Sequence, residues 1–256
     1  MKFKLQFRNL LWGLTKSFVV AEKDARIYYV KPPVLIFGIL FPFFLFLAFV
    51  MGRGASPEKL VPGLIGMTLF FTASSVGPLV TPWERQARTY ERLISTPVPL
   101  FSILLGDVIA GFCYGAIISI VPLIIGLVLF KAVVTNYFVL ATTMIVSSFC
   151  FASLGVLLSS PATEAPSQVM MLSALVRFPL VFVSGIFIPL SRMPSWGSTI
   201  CLISPLTYAT DIIRFSFEGR NNFPIALDFT ALLIFSLIFF ISALNFHKQS
   251  LLKGSF

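Results

Sequence analysis

Apolar and polar positions alternate along this chain in long blocks rather than at strand or short-helix spacing. Six stretches are apolar for about 20 residues, the length a helix needs to cross roughly 30 Å of hydrocarbon at about 1.5 Å per residue. They run from Pro32 to Gly52, Leu60 to Val80, Phe101 to Phe130, Tyr137 to Leu158, Val169 to Leu190 and Phe229 to Phe246. The third is longer than a crossing requires, so it either tilts or begins as an interfacial turn after Pro97 and Pro99. The pattern predicts an all-α membrane protein forming one unit over residues 1–256, without internal repeats or a linker that would divide it.

Three pieces of the pattern do not span. In residues 1–31, Leu11, Leu14, Phe18, Ala21, Ala25, Tyr28 and Tyr29 recur at three- and four-residue steps, with Lys16, Lys23 and Arg26 opposite. This predicts an amphipathic interfacial helix ended by Pro32 and Pro33, serving as a membrane anchor or as a lever coupled to a partner. Residues 82–100 carry charges of both signs between Pro82 and Pro97: Glu84, Arg85, Arg88, Glu91 and Arg92. Glu84 and Arg88, and Arg88 and Arg92, are four apart, so a short helix would align them on one face. A charge run is ordinarily a solvated face, but one wedged between two spans also suits a docking knob for a soluble protein. Residues 190–228 are apolar yet, with the end of the fifth span, interrupted by Pro179, Gly185, Pro189, Pro194 and Pro205. Irregular backbone at membrane depth survives only where protein or water satisfies it, which predicts short re-entrant helices forming a partly buried cap, with Trp196 and Tyr208 near the interface.

Composition sharpens this. Charged residues make up 11% of the chain against about 25% in soluble domains, which excludes both a soluble fold and disorder. The net charge of +9 would suit nucleic acid, but the basic residues are arranged by side of the membrane. Twelve of the 19 fall in the arm, the 82–100 connection and the chain end, and six in the opposite connections, which puts both termini in the cytoplasm and leaves the charge facing lipid headgroups rather than nucleic acid. The charged 31-residue arm argues against a cleaved signal peptide. Cys113, Cys150 and Cys201 offer no pairing framework.

No phosphate-binding loop of the G-x-x-x-x-G-K-[ST] kind is present, so ATP is not bound by that cradle here. Neither a metal motif nor a nucleophile with a base is visible, and His247, the single histidine, reads as a surface residue at the end of the last span. Two charges fall inside spans: Asp107 in the third and Arg177 in the fifth, at depths that differ by about 3 Å. Charges there are expensive, so they are expected to pair with each other, or Arg177 to face substrate or a wet crevice. Gly111 and Gly115 give the third span a small-x-x-x-small face for close helix contact.

These residues together resemble the membrane subunit of ABC-2 type ABC transporters, in the branch of drug-resistance and nodulation-factor exporters. The resemblance covers nearly the whole chain. It rests on the arm with Arg26 before a span carrying Phe41-Pro42; on Glu84-Arg85 through Thr89, Glu91, Leu93 and Pro97; and on Phe178-Pro179, Ser184-Gly185, Pro189, Met193-Pro194, Ser204-Pro205, Tyr208 and Arg214. The family pattern often has glycine where Arg88 stands, a departure expected to make the segment more regularly helical.

What the resemblance implies is six spans per subunit, two permease copies or a permease with a relative, a separate ABC ATP-binding subunit holding ATP and Mg, and a coupling helix at the second cytoplasmic connection. An exporter permease in a prokaryotic cell membrane is the resulting expectation, its cargo drug-like, lipid-like or glycan-type. An ion-gradient-driven secondary transporter and an intramembrane lipid-modifying enzyme are the rivals. The first would show repeated halves and the second a polar catalytic cluster.

Overall fold

The computed structural model describes residues 2–29, 31–53, 57–161, 163, 165–187 and 195–252, and these are helical almost throughout, with no strand among them. The long N-terminal helix α1 (Lys2–Tyr28) is followed by a helical run of three pieces: α2 (Pro32–Leu35), a π-helical turn (Ile36–Leu40) and α3 (Phe41–Arg53). A 3-10 turn (Pro57–Leu60) leads into α4 (Val61–Gln86), then the short α5 (Thr89–Ile94), α6 (Leu100–Ile118), α7 (Ile120–Val128), α8 (Tyr137–Leu158) and α9 (Pro166–Val183). Two short helices, α10 (Ser195–Ile200) and α11 (Pro205–Glu218), precede α12 (Ile225–Leu252).

Five stretches among the described residues are long and apolar enough to cross a membrane: Glu58–Gln86, Leu100–Val128, Tyr137–Leu158, Pro166–Val183 and Ile225–Leu252. The remaining expected span, Pro32 to Gly52, is helical but divided. Pro42 has no N–H to offer the carbonyl four residues back, and just ahead of it the Phe41 amide bonds to Ile36 O, five back, in the π turn. The third stretch begins at Leu100, directly after Pro99, and is divided further on, where α6 gives way to α7 at Ser119, three residues before Pro122.

Helix α4 is the axis of the bundle. Its residues are buried nearly without interruption from Val61 to Arg85, and it packs on α6, α8, α9 and α11. Its buried hydroxyls bond back to its own carbonyls, Thr72 to Thr68 O at 2.6 Å and Ser74 to Phe70 O at 2.6 Å, so polarity is hidden without a partner helix. Neighbouring backbones approach α4 very closely. A Cβ on Gly155 of α8 would stand 2.7 Å from Ser74 O, and one on Gly77 would stand 2.6 Å from the Gly155 carbonyl. Pro78 explains part of this contact, because it withholds the amide that Ser74 O would otherwise accept and leaves that carbonyl facing the neighbour. On the other side Gly111 and Gly115 of α6 sit against Ala73, so the small-residue face of this helix makes the close contact its spacing suggests.

Aromatic edges tie the outer helices to this axis. Phe41 meets Phe71 and Phe178 at ring-centre distances of 5.0 and 5.2 Å, and Phe70 meets Phe151 at 5.0 Å. Beyond the end of α9, the chain turns at Gly185 (φ 80°) and is held by Arg214, which donates to Gly185 O at 2.7 Å. Ser204 Oγ donates to Leu180 O at 3.0 Å, and α11 is buried along Pro205–Ile213 against α4, α8 and α12. Pro189 and Pro194 lie outside the described residues.

Substituting Gly155 with alanine forces a methyl group onto backbone that has no rotamer to retreat into. Gly155→Ala is expected to destabilise the protein by roughly 1–3 kcal/mol, whereas Gly219→Ala, whose Cβ meets nothing within 4 Å, is expected to show only the smaller strain of its left-handed backbone; unfolding titrations in mixed micelles compare the two.

Candidate functional site

At the end of the bundle where α1 meets α4 and α6, charged side chains converge out of water. Helix α1 presents the row Gly13, Ser17, Val20, Ala21, Asp24 and Tyr28 inward, and leaves Phe18, Val19 and Ile27 exposed. The row lies against α6, where a Cβ on Gly106 would stand 2.6 Å from Val20 Cβ. Lys23, expected on the outer face with Lys16 and Arg26, instead turns in. Its ammonium donates to the buried Glu84 carboxylate on α4 and lies 3.0 Å from Asp24 Oδ1. Burial pulls the Lys23 ammonium down, but Asp24 and Glu84 outweigh it and hold the group well above its ordinary value. Burial pushes the Asp24 carboxyl up, against the pull of Lys23. Asp107 of α6, also buried, completes the cluster, and its Oδ1 has no hydrogen-bond partner.

Arg177 is elsewhere, so the expected Asp107 to Arg177 pair does not form. No salt bridge joins them among the described residues. Arg177 lies over the Phe71 ring at 5.7 Å, its Nε donates to Ser173 O at 3.3 Å, and one terminal nitrogen has no hydrogen-bond partner. The two residues are at similar depth on helices that do not pack together; depth in sequence says nothing about azimuth around the bundle.

Beside the acidic cluster the charged connection divides in two. Glu84 and Arg85 belong to the last turn of α4 and are buried, Arg85 donating to Pro161 O beyond α8. Arg88, Thr89, Arg92 and Pro97 are exposed and Glu91 is half-buried. Helix α4 stops because Ala87 and Arg88 leave the helical path, and Arg88 sits in the left-handed region at φ 57°. Far from making the segment more regularly helical, Arg88 occupies a break of the kind glycine favours, and the expected four-residue ladder from Glu84 through Arg88 does not form. Arg88 pairs with Glu91 at 3.1 Å on the surface, and on α1 Arg26 pairs with Glu22. Lys16 is half-buried on α1.

The inner side of α5 holds Tyr90, fully buried, with the Arg85 guanidinium 5.1 Å from its ring centre. Burial pushes the Tyr90 phenol up to about 12. Tyr90 Oη lies 3.3 Å from Nδ1 of His247 on α12, whose Nε2 lies 3.2 Å from Val156 O and 3.4 Å from Ser159 Oγ on α8. His247 is therefore a buried residue and not the surface histidine its place near the chain end suggested. The pattern that would have found it is the row Ser236, Ala243, His247 and Ser250, small or polar residues at helical spacing on an otherwise greasy helix. Asp24 falls likewise between Ala21 and Tyr28 on the inward row of α1.

At the opposite end, Pro179 lies within α9 without breaking it, contrary to expectation, Ser184 and Gly185 form the turn that follows, and Pro205, Tyr208 and Arg214 belong to α11, with Tyr208 donating to Leu202 O at 3.0 Å. Among the described residues no group of three His, Cys, Asp or Glu side chains is arranged to hold a metal ion. What the converging end offers is mechanical: one helix outside the bundle, one short helix between two long ones, and buried polar contacts joining both to the core.

Residues 10–217 match the ABC-2 type transporter family, and the chain belongs to it. It is 26% identical over 184 residues to the inner membrane transport permease YadH of Escherichia coli (strain K12), covering 72% of each chain. It is also similar to nodulation protein J of Sinorhizobium fredii, 25% identical over 199 residues with 76% of this chain and 74% of the relative covered. A third relative, "Probable multidrug ABC transporter permease YbhR" of Escherichia coli (strain K12), is 24% identical over 159 residues, 60% of this chain and 42% of the relative. With these helices, the chain is a multi-pass membrane protein of the ABC permease class.

Removing the cation that pairs with both Asp24 and Glu84 leaves the carboxyls without its charge. Lys23→Met is expected to destabilise the chain, and a Lys23→Met with Glu84→Gln double-mutant cycle to show a coupling of roughly 0.5–3 kcal/mol in thermal or denaturant unfolding.

Proposed function

We propose that the chain is the permease subunit of an ATP-driven exporter, working as a pair of membrane subunits with a separate ATP-binding subunit beneath each. Six crossings follow if Pro32–Arg53 counts as one despite its π turn, with α1 lying at the cytoplasmic surface, α10 and α11 entering from the outer side, and both termini in the cytoplasm. ATP and Mg belong to the partner. The cargo is amphipathic, drug-like, lipid-like or glycan-type, in keeping with the multidrug and nodulation names of two relatives.

The observation that carries this reading is the two-sided α5. Its outer side exposes Arg88, Thr89 and Arg92 with Pro97 following, while its inner side is rooted by Tyr90 in the bundle. A short helix with a charged outer face and a buried root receives a push from a soluble partner and passes it inward, which a solvated loop does not. Closure of the ATP-binding subunits would load α5 and α1 together, since Lys23 of α1 and Glu84 beside α5 are joined.

Docking therefore depends on the exposed charges and folding on the buried ones. Reversing Arg88 and Arg92 to glutamate is expected to weaken co-purification of the ATP-binding subunit by about tenfold or more while the permease remains folded. Undiminished docking in that variant, judged by pull-down from membranes expressing both subunits, would remove α5 from the interface.

A further inference from the structure

Two buried polar side chains from elements 157 residues apart meet behind the coupling segment, and neither is required by packing alone. Tyr90 is 1% exposed and His247 0% exposed. Val156 O can only accept, so Nε2 of His247 donates to it, which leaves Nδ1 as the acceptor for the Tyr90 hydroxyl. Ser159 Oγ donates to Val156 O at 2.7 Å and is approached by Thr81 Oγ1 of α4 at 3.3 Å. Each imidazole nitrogen is thus engaged, one toward α5 and the other toward the end of α8, from a ring carried by α12. A leucine would fill this space as well; it would make none of these bonds.

We infer that Tyr90 and His247 are a tether that makes α5, the end of α8 and the end of α12 move as one body, His247 being a positioning residue for the coupling step. This rests on the assignment of α5 as the docking helix and adds the route by which its displacement enters the membrane. The break at Ala87 and Arg88 gives the tether its purpose. Helix α5 is not a rigid continuation of α4, so a push on it is not transmitted along the α4 axis through unbroken helix. Hydrogen bonds at the root of α5 supply the connection instead. The Arg85 guanidinium over the Tyr90 ring, with its own bond to Pro161 O, closes the same contact from the α4 side.

The test uses the full chain in lipid nanodiscs, alone and with its ATP-binding subunit, spin-labelled at the exposed positions Ser95 beyond α5 and Gln249 on α12. In the wild type, the distance between labels is expected to stay narrow and unchanged when ATP and vanadate are added to the complex. Tyr90→Phe keeps the ring and its contact with Arg85 but loses the hydroxyl; His247→Leu keeps the volume but loses both nitrogens. Both are expected to broaden the distribution in the chain alone and to let ATP shift it by roughly 5 Å, about one helical turn. His247→Gln, which can donate to Val156 O and accept from Tyr90, is expected to restore the narrow distribution. Indistinguishable distributions for wild type, Tyr90→Phe and His247→Leu would overturn the tether and leave the pair as packing. Should the ATP-binding subunit not associate with the wild-type chain, the docking assignment fails, whereas the measurement on the chain alone still decides the tether.

Discussion

Everything in this bundle is arranged around how closely other helices can approach α4. The crossing of Gly77 with Gly155, and of Ala73 with Gly111 and Gly115, brings backbone to backbone where lipid supplies no hydrophobic force between helices. Contact of that kind draws on dispersion and on fit alone, so it tolerates no added atom. The rest is placed around this axis: α9 packs on α4 and α12 on α8, both remaining largely exposed, while α11 packs on α4, α8 and α12 and is buried along most of its length.

The charged end follows a different logic. Three buried carboxyls and a half-buried lysine meet between α1, α4 and α6, where carboxylates repel and desolvation is costly. Such a cluster is a poor device for stability. It is a good one for fixing which way α1 faces, because Lys23 meets both Glu84 and Asp24 there. Two polar attachments at this end, the lysine cluster on α1 and the histidine contact behind α5, thus join α1 and α5 to the helices around α4.

Much of this was legible in the sequence, and the misreadings have a common cause. Block-length apolar runs predicted where the long helices lie, although α9 stops at Val183 rather than Leu190 and α4 and α12 run on past Val80 and Phe246, and the Gly111 and Gly115 spacing correctly indicated a tight contact. Hydropathy is one-dimensional, however, and does not give the angle at which a residue faces. That is why Asp107 and Arg177 looked like partners, why Lys23 was assigned to the outer face, and why His247 read as surface. The interruptions were visible as prolines, but their effects depend on which carbonyl each one frees, as the π turn before Pro42 and the exposed Ser74 carbonyl at Pro78 show. Arg88 carried the plainest unused signal: a glycine in the family pattern at that position marks a left-handed backbone, whichever residue this chain puts there.

Helix α12 has 28 residues, roughly 42 Å of helix against about 30 Å of hydrocarbon. Measured from its start at Ile225, His247 stands roughly 33 Å along the axis, close to one hydrocarbon thickness away. With Ile225 at one face of the hydrocarbon, the contact with Tyr90 would fall where acyl chains give way to headgroups, and the exposed Lys248 and Gln249 would lie just beyond it. Thickness of the surrounding bilayer sets the tilt of such a helix, and so the height at which its imidazole is offered to α5. The lipid in which this protein sits is in that sense a component of its geometry, setting how α12 meets α5.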